Sequence, residues 1–379
     1  MKIKPPKIKA MPLTILIAPD KFKGTLTAGE AARAIARGWG RARPQDTLEV
    51  LPMSDGGDGF GEVTGKRLGA KVQTVNTVDA AHRPCQARWW WAAKTKTVII
   101  ESASVIGLAM LPPGKFHPFE LDTFGLGAVI RAASARGAQR CFIGIGGSAT
   151  NDGGFGLARA LGWEFLDDGG GLIQRWTDLH RLAQIRAPKR QRWFDELIIA
   201  VDVQNPLLGS RGATRIFGPQ KGLQPSELME AERNLRKLAQ TLGGKSKLQT
   251  QPGAGAAGGL GFGLLAFLRA EAEPGFDLFA RYAKLEARLR TADLVITGEG
   301  RLDESTLMGK GVGQIARRCR RLKIPCIALV GMKTDPAQAR ADFAQARALT
   351  EMTTVANAQS KPAFWLERLA KNVAAEWGF

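Results

Sequence analysis

Short β-rich runs that end in glycine and acidic residues, each followed by a helical stretch, recur at both ends of this chain. That alternation dictates layered α/β architecture. Thr14–Ala18 runs into Pro19-Asp20. Thr27-Ala28-Gly29-Glu30 then forms a capping box and predicts a helix to about Trp39. Thr47–Leu51 predicts a second strand. Near the other end, strand Leu294–Thr297, helix Val312–Arg321 and strand Cys326–Val330 repeat the pattern. The middle differs. Val72–Val78, Gln86–Trp91 and Thr97–Glu101 read as three strands with no helix between them, the mark of an antiparallel or mixed sheet. Alternation then resumes. A helix is predicted near Leu126–Arg136, a strand at Cys141–Ile145, a helix near Phe155–Leu161 and a strand at Leu197–Val201. Ser226–Leu242 and Leu260–Glu271 are predicted helical.

At 379 residues the chain exceeds one ordinary core, so two domains are expected. The pattern predicts a doubly wound parallel domain built from both chain ends, residues 1–75 and 285–379. A second α/β domain with a mixed sheet and Gly-rich loops, residues 76–284, is inserted into it.

The formal net charge of +19 raises the question of a nucleic-acid partner. The arginines are spread along the chain, however, and no basic patch interleaved with aromatic residues occurs. The densest run, Arg317, Arg318, Arg320, Arg321 and Lys323, shares a helix with Val312, Ile315, Ala316 and Cys319, whose spacing marks the buried face. The arginines are the expected solvated face, and no nucleic acid is expected. Cys85, Cys141, Cys319 and Cys326 show no CxxC spacing, and His82, His117 and His180 are scattered, so no zinc site is expected. A reduced, cytoplasmic protein follows. Residues 1–10, with Lys2, Lys4, Lys7 and Lys9, read as an extension, with Met11 an alternative start. The apolar stretch after them is too short, and lacks the cleavage site, for a secretion signal. No apolar run is long enough to cross a membrane.

Five loops carry chemistry. Ligands of open α/β sheets bind at the carboxyl ends of strands, which predicts that these loops converge on one cleft. Asp20, Lys21 and Lys23 precede a helix and suit a carboxylate or phosphate. Ser54-Asp55-Gly56-Gly57-Asp58-Gly59 offers two carboxylates, Asp55 and Asp58, for Mg²⁺; glycine turns capped by aspartate are an ordinary alternative. Gly144-Ile145-Gly146-Gly147-Ser148-Ala149-Thr150-Asn151-Asp152-Gly153-Gly154 follows an apolar strand and opens a helix. Its backbone N–H groups can form a nest for phosphate oxygens. Asp202-Val203-Gln204-Asn205-Pro206 places a carboxylate at a strand end, or makes an Asx-Pro turn. Glu299, Arg301 and Asp303 lie in one glycine-bracketed loop, followed by Ser305-Thr306-Leu307-Met308-Gly309-Lys310-Gly311. Acids for Mg²⁺ and cations for developing charge are what phosphoryl transfer needs.

A rival stands beside this reading. Gly144, Gly146 and Ala149 fit the dinucleotide pattern G-x-G-x-x-A, with Glu164, Asp167 and Asp168 further on. Gly253, Gly255 and Gly258 match G-x-G-x-x-G without a preceding strand. In a chain with 45 glycines the pattern arises easily, and Ser148, Thr150, Asn151 and Asp152 suit a substrate or phosphate better than pyrophosphate packing. A nicotinamide-dependent hydroxy-acid dehydrogenase is the second reading. A non-enzymatic regulator that binds anions or nucleic acid is the third. No Walker A sequence is present.

At these residues the sequence resembles the bacterial type-1 glycerate kinases. The matching segments are IAPDKFKGTLTAGEAARAI, LPMSDGGDGF, GIGGSATNDGGFGLARALG, NPLLGSRGATRIFGPQKG, PGAGAAGGLGFGLLAFL and DLVITGEGRLDESTLMGKG, in the family's order from about residue 13 to 331. The resemblance implies ATP-dependent, Mg²⁺-assisted phosphorylation of D-glycerate to 2-phosphoglycerate. It also implies a two-domain α/β fold, one part flavodoxin-like. Two positions depart from the family: Ser104 stands where a second acid is usual, and Phe124 where tyrosine is usual.

Together these readings make Asp202 the expected base, with Asp303 second. Lys21, Lys23 and Arg301 are expected at the substrate carboxylate and the γ-phosphate. The turns at 144–154 and 253–263 are expected to contact nucleotide phosphates or substrate. The residues singled out there are Gly146, Gly147, Ser148, Asn151, Asp152, Gly255 and Gly258, with Asp20, Asn205 and Glu299 beside them. Asp55, Asp58 or Glu299 would hold Mg²⁺. The expected partners are ATP and D-glycerate, acting on a single chain or a homo-oligomer.

Overall fold

A computed structural model describes residues 11–243, 247–303, 311–334 and 343–377. Residues 1–10 and 305–310, both singled out above, lie outside the described residues. The chain divides into two compact units. One joins residues up to Ser54 with those from Ala283 onward, and the other runs from Asp55 to Tyr282.

In the first unit, five parallel strands stand in the order Thr47–Val50, Thr14–Ile17, Leu294–Thr297, Cys326–Val330, Gln345–Ala348. Counted along the unit this is 2-1-3-4-5, the flavodoxin-like order. Strands Leu294–Thr297 and Cys326–Val330 are buried along their whole length, as a sheet covered on both faces requires. Ile15 pairs with Leu294 and Ile17 with Ile296, so the innermost pairing joins distant parts of the chain.

Helix Ala28–Ala42 begins at the predicted box: the Glu30 N–H donates to Thr27 Oγ1 (3.2 Å) and the Thr27 N–H to Glu30 Oε2 (2.9 Å). Its buried face, Ala31, Ala34, Ile35, Gly38 and Trp39, packs on Leu366, Leu369, Ala370 and Val373 of helix Pro362–Glu376. Helix Gly311–Leu322 buries Val312, Ile315, Ala316 and Cys319, while Arg317, Arg320 and Arg321 are exposed. The basic run is therefore a solvated face, with Arg321 paired to Glu286 at 2.7 Å.

The second unit carries a six-stranded mixed sheet. Glu271–Pro274, Glu196–Val201, Arg140–Gly144 and Thr97–Glu101 run parallel, and Pro84–Ala92 and Lys71–Val78 continue antiparallel. The expected boundary near residue 75 falls at 54/55 instead. Helix Phe60–Arg67, which the sequence reading passed over, explains the difference. Phe60 enters the core with Trp90, Ile99 and Phe142, so the helix belongs to this sheet.

The predicted helix Leu260–Glu271 ends at Leu268. Arg269 turns left-handed (φ 57°), and Glu271–Pro274 pairs with Ile198–Val201 as an edge strand. Ala272 and the flanking glutamates favour helix, but a free sheet edge overrides that preference. Among the described residues no helix is long and apolar enough to cross a membrane.

The crossing of the two helices in the first unit depends on Gly38. A Cβ there would lie 2.1 Å from the Glu367 carbonyl oxygen and 2.9 Å from Ala370 Cβ. Alanine favours helix by about 1 kcal/mol over glycine, while overpacking costs about 1–3 kcal/mol. Gly38→Ala should therefore lower the thermal melting temperature; a rise would show that the crossing has slack.

Candidate active site

The switch point of a 2-1-3-4-5 sheet lies between its first and third strands, where chains leave in opposite directions and open a crevice. Here those strands are Thr14–Ile17 and Leu294–Thr297. The Thr297 hydroxyl donates to the Ala18 carbonyl (2.8 Å) and the Asp20 N–H to that of Gly298 (2.8 Å), which ties the two loops together beyond the sheet. Asp20 and Glu299 are both buried there, and Asp20 Oδ1 accepts from the Lys21 N–H at 2.7 Å. The Glu299 carbonyl accepts from Gly331 (3.0 Å) at the end of the neighbouring strand. Lys21 and Asp303 are half-buried, and Lys23 and Arg301 are exposed. The predicted anion and acid residues of this unit thus gather at its switch point.

In the second unit the predicted loops also come together. The Gly146 N–H donates to the Gly56 carbonyl at 3.2 Å, which seats the 54–59 loop against the start of the glycine turn. Glu101, at the end of a central strand, grips that loop by accepting from the Gly59 and Gly61 N–H groups (3.1 and 2.9 Å). Asp58 is exposed and Asp55 half-buried, with Asp55 Oδ1 accepting from the Gly57 N–H (3.2 Å). Gly146 and Gly147 are open to solvent in part, whereas Ser148, Asn151 and Asp152 are buried.

Asp152 is fully buried and turns inward. It accepts from the Thr123 N–H (2.9 Å), the Thr123 hydroxyl (2.7 Å) and the N–H groups of Gly154 (3.2 Å) and Gly156 (2.9 Å). Thr123 Oγ1 in turn accepts from the Leu157 N–H at 2.9 Å. Burial, and then the neighbouring Asp122 carboxylate, push the Asp152 carboxyl up to about 6 against the pull of these donors. Asp122 itself accepts from His82 Nε2 at 3.0 Å, and that contact raises the His82 pKa.

Lys221, the last residue of helix Ala213–Lys221, is buried beside the same turn. Its Nζ donates to Ser148 Oγ (3.2 Å) and to the Thr150 carbonyl (2.6 Å). Burial pulls its ammonium down to about 7, and the Asp152 charge opposes that pull. Two further side-chain atoms of the turn, Thr150 Oγ1 and Asn151 Oδ1, are buried with no hydrogen-bond partner. Such atoms are rare in folded proteins and mark places where water or a ligand completes the structure. Sequence reading missed Lys221 because a lysine before glycine at a helix end is the ordinary charge for that position.

The 253–263 loop packs closely on its neighbours. Gly255 and Gly258 are buried, and a Cβ at Gly258 would lie 1.9 Å from the Thr150 carbonyl oxygen. At Gly255 it would lie 2.2 Å from that of Pro206. These glycines let one loop pack backbone to backbone on the turn and on the Asp202 segment. Within that segment Asp202 is exposed, and Asn205 Nδ2 holds the Arg211 carbonyl at 2.8 Å.

The two departures from the family pattern also find an account. Ser104 donates to the Glu101 carbonyl at 2.7 Å within the first turn of helix Ala103–Ile106. Phe124 keeps an aromatic ring against His82 (centroids 5.6 Å) with Arg159 over it (5.9 Å).

Comparison with known proteins extends the resemblance over nearly the whole chain. The model of the glycerate kinase family matches residues 15–378. A glycerate kinase of Halalkalibacterium halodurans is 37% identical over 323 residues, covering 84% of this chain and 85% of the relative. A glycerate 2-kinase of Escherichia coli is 37% identical over 334 residues, covering 85% and 86%. The crystal structure assigned as glycerate kinase 2 of Salmonella typhimurium superposes with a TM-score of 0.81 at 33% identity, over 97% of this chain and 98% of that one. With the switch-point acids and the glycine turn in place on a matching fold, the chain belongs to the glycerate kinase family.

Proposed function

We propose that this protein transfers the γ-phosphoryl group of ATP to the 2-hydroxyl of D-glycerate, giving 2-phosphoglycerate and ADP. The observation that carries the reading is the flavodoxin-like switch point lined by Asp20 and Glu299 with Lys21, Lys23 and Arg301 beside them. Phosphoryl transfer asks the protein for positioning and charge neutralisation more than covalent chemistry. Buried acids with cations beside them at a strand-end crevice supply both.

Lys21, Lys23 and Arg301 bind the glycerate carboxylate and offset charge on the γ-phosphate. The solvent-open part of the glycine turn around Gly147 faces phosphate oxygens. Asp202 accepts the hydroxyl proton as the new P–O bond forms and the bond to ADP breaks; Asp303 is the second candidate. Mg²⁺, when bound, offsets charge on the β- and γ-phosphates. Among the described residues no three His, Cys, Asp or Glu side chains gather as a metal centre. Mg²⁺ is commonly held by one or two carboxylates with substrate phosphates and water. Glu299, Asp55 or Asp58 would hold it. The four cysteines are all free thiols, in keeping with a cytoplasmic enzyme.

ADP release in a coupled assay with D-glycerate tests the activity directly. Asp202→Asn should leave the fold intact and lower kcat at least about a hundredfold, the usual scale for loss of a general base. A change confined to KM would make Asp202 a binding residue. Glu299→Gln should raise the Mg²⁺ concentration for half-maximal rate by about tenfold or more. An unaltered Mg²⁺ titration would leave the metal to Asp55 and Asp58.

A further inference from the structure

Among the described residues Lys221 is the one cation buried against the glycine turn, and the roles assigned above leave it unused. Helix Ala213–Lys221 delivers it, and Gly222, left-handed at φ 110°, ends the helix immediately afterwards. The ammonium has three N–H groups. Two are spent on Ser148 Oγ and the Thr150 carbonyl, which fixes both ends of the Ser148–Thr150 stretch. Within the same turn Thr150 Oγ1 and Asn151 Oδ1 are buried and open. A buried cation, a hydroxyl and an amide oxygen left over together describe a position that an anionic, hydroxyl-bearing molecule would complete.

A structural lysine would be an expensive choice here. Methionine fills a similar volume with no charge to desolvate, so a purely packing role gives no reason for an ammonium. We propose that Lys221 is a positioning residue for phosphoryl transfer, whose ammonium holds the Ser148–Thr150 stretch in the shape that binds the anionic substrate. The proposal rests on the glycerate kinase reading for the reaction, and on the geometry of the turn for the residue.

Two consequences separate this role from packing. The charged group acting on Lys221 is Asp152, and burial nevertheless brings the ammonium down to about 7. An anion bound nearby raises that value. In wild-type enzyme kcat/KM should therefore fall as pH rises past about 7, while the matching limb of kcat lies at higher pH, because kcat reports the enzyme with substrate bound. The second consequence concerns stability. An unfolded lysine titrates near 10.4. Below about 7 the lysine is charged in both states, and the folded state bears the full cost of burial. Between these values the folded chain sheds the proton first, so the Lys221 contribution to stability improves with rising pH.

The experiment compares wild type, Lys221→Met and Lys221→Arg by coupled ADP release with D-glycerate across pH 6–9. It adds melting temperatures with and without inorganic tripolyphosphate. Lys221→Met is expected to lose about a hundredfold in kcat/KM, the scale for removal of one aimed donor. It should also lose the alkaline limb and the melting shift given by tripolyphosphate, and Lys221→Arg should recover part of each. A Lys221→Met enzyme within about threefold of wild type, with the same pH limbs and the same tripolyphosphate shift, would overturn the proposal. Wild-type protein that does not turn over glycerate, but whose tripolyphosphate shift disappears in Lys221→Met, would sink the kinase reading and keep the lysine. Should neither variant fold, coincident pH limbs of wild-type kcat and kcat/KM would still count decisively against it.

Discussion

The inward-facing carboxylate of Asp152 is the contact on which the second unit's functional loops depend. Four donors from two loops converge on it, and hydrogen bonds to a charged group are worth about 1.5–3 kcal/mol each. They bring residue 123 onto the start of helix Phe155–Ala160 and fix where the glycine turn leaves its strand. The arrangement works against burial and against Asp122, as the raised carboxyl pKa shows. A site that tolerates such a cost keeps a charge in place without relying on a mobile surface residue. Lys221 on the other side of the turn is the complementary case, a cation held where water is scarce.

Much of this fold was legible because it is written in local chemistry. The Thr27–Glu30 box and the spacing of Val312, Ile315, Ala316 and Cys319 are interactions within a turn or two, and both stand as read. The edge strand Glu271–Pro274 was illegible because its partner lies some seventy residues earlier, and its own residues prefer helix. The 54/55 boundary was hidden for a related reason. Helix Phe60–Arg67 belongs where Trp90 receives it, and no local pattern announces that.

The candidate site divides the same way. Motif residues such as Glu299 and Asp152 stood out because glycines frame them, and Asp20 because it ends a strand beside two lysines. The sequence did not say which of them faces inward: Asp152 is sealed, whereas Asp202 and Asp58 are exposed. Nor did it separate glycines that admit a ligand from those that admit another backbone. Gly255 and Gly258 each have another backbone packed where a Cβ would stand. Lys221 was invisible because burial is a property of the assembled turn.

The pairing of Thr14–Ile17 with Leu294–Thr297 carries a consequence for how the chain comes off the ribosome. The Ala18 carbonyl and the Thr297 hydroxyl that binds it are separated by 279 residues. At about 5–20 residues per second, the first strand waits roughly 15–55 s for its central neighbour to be synthesised. The Asp55–Tyr282 unit is contiguous and suffers no such delay. During that interval an apolar strand and the buried face of helix Ala28–Ala42 have no permanent cover, so translation speed and chaperone access bear on this unit far more than on the other.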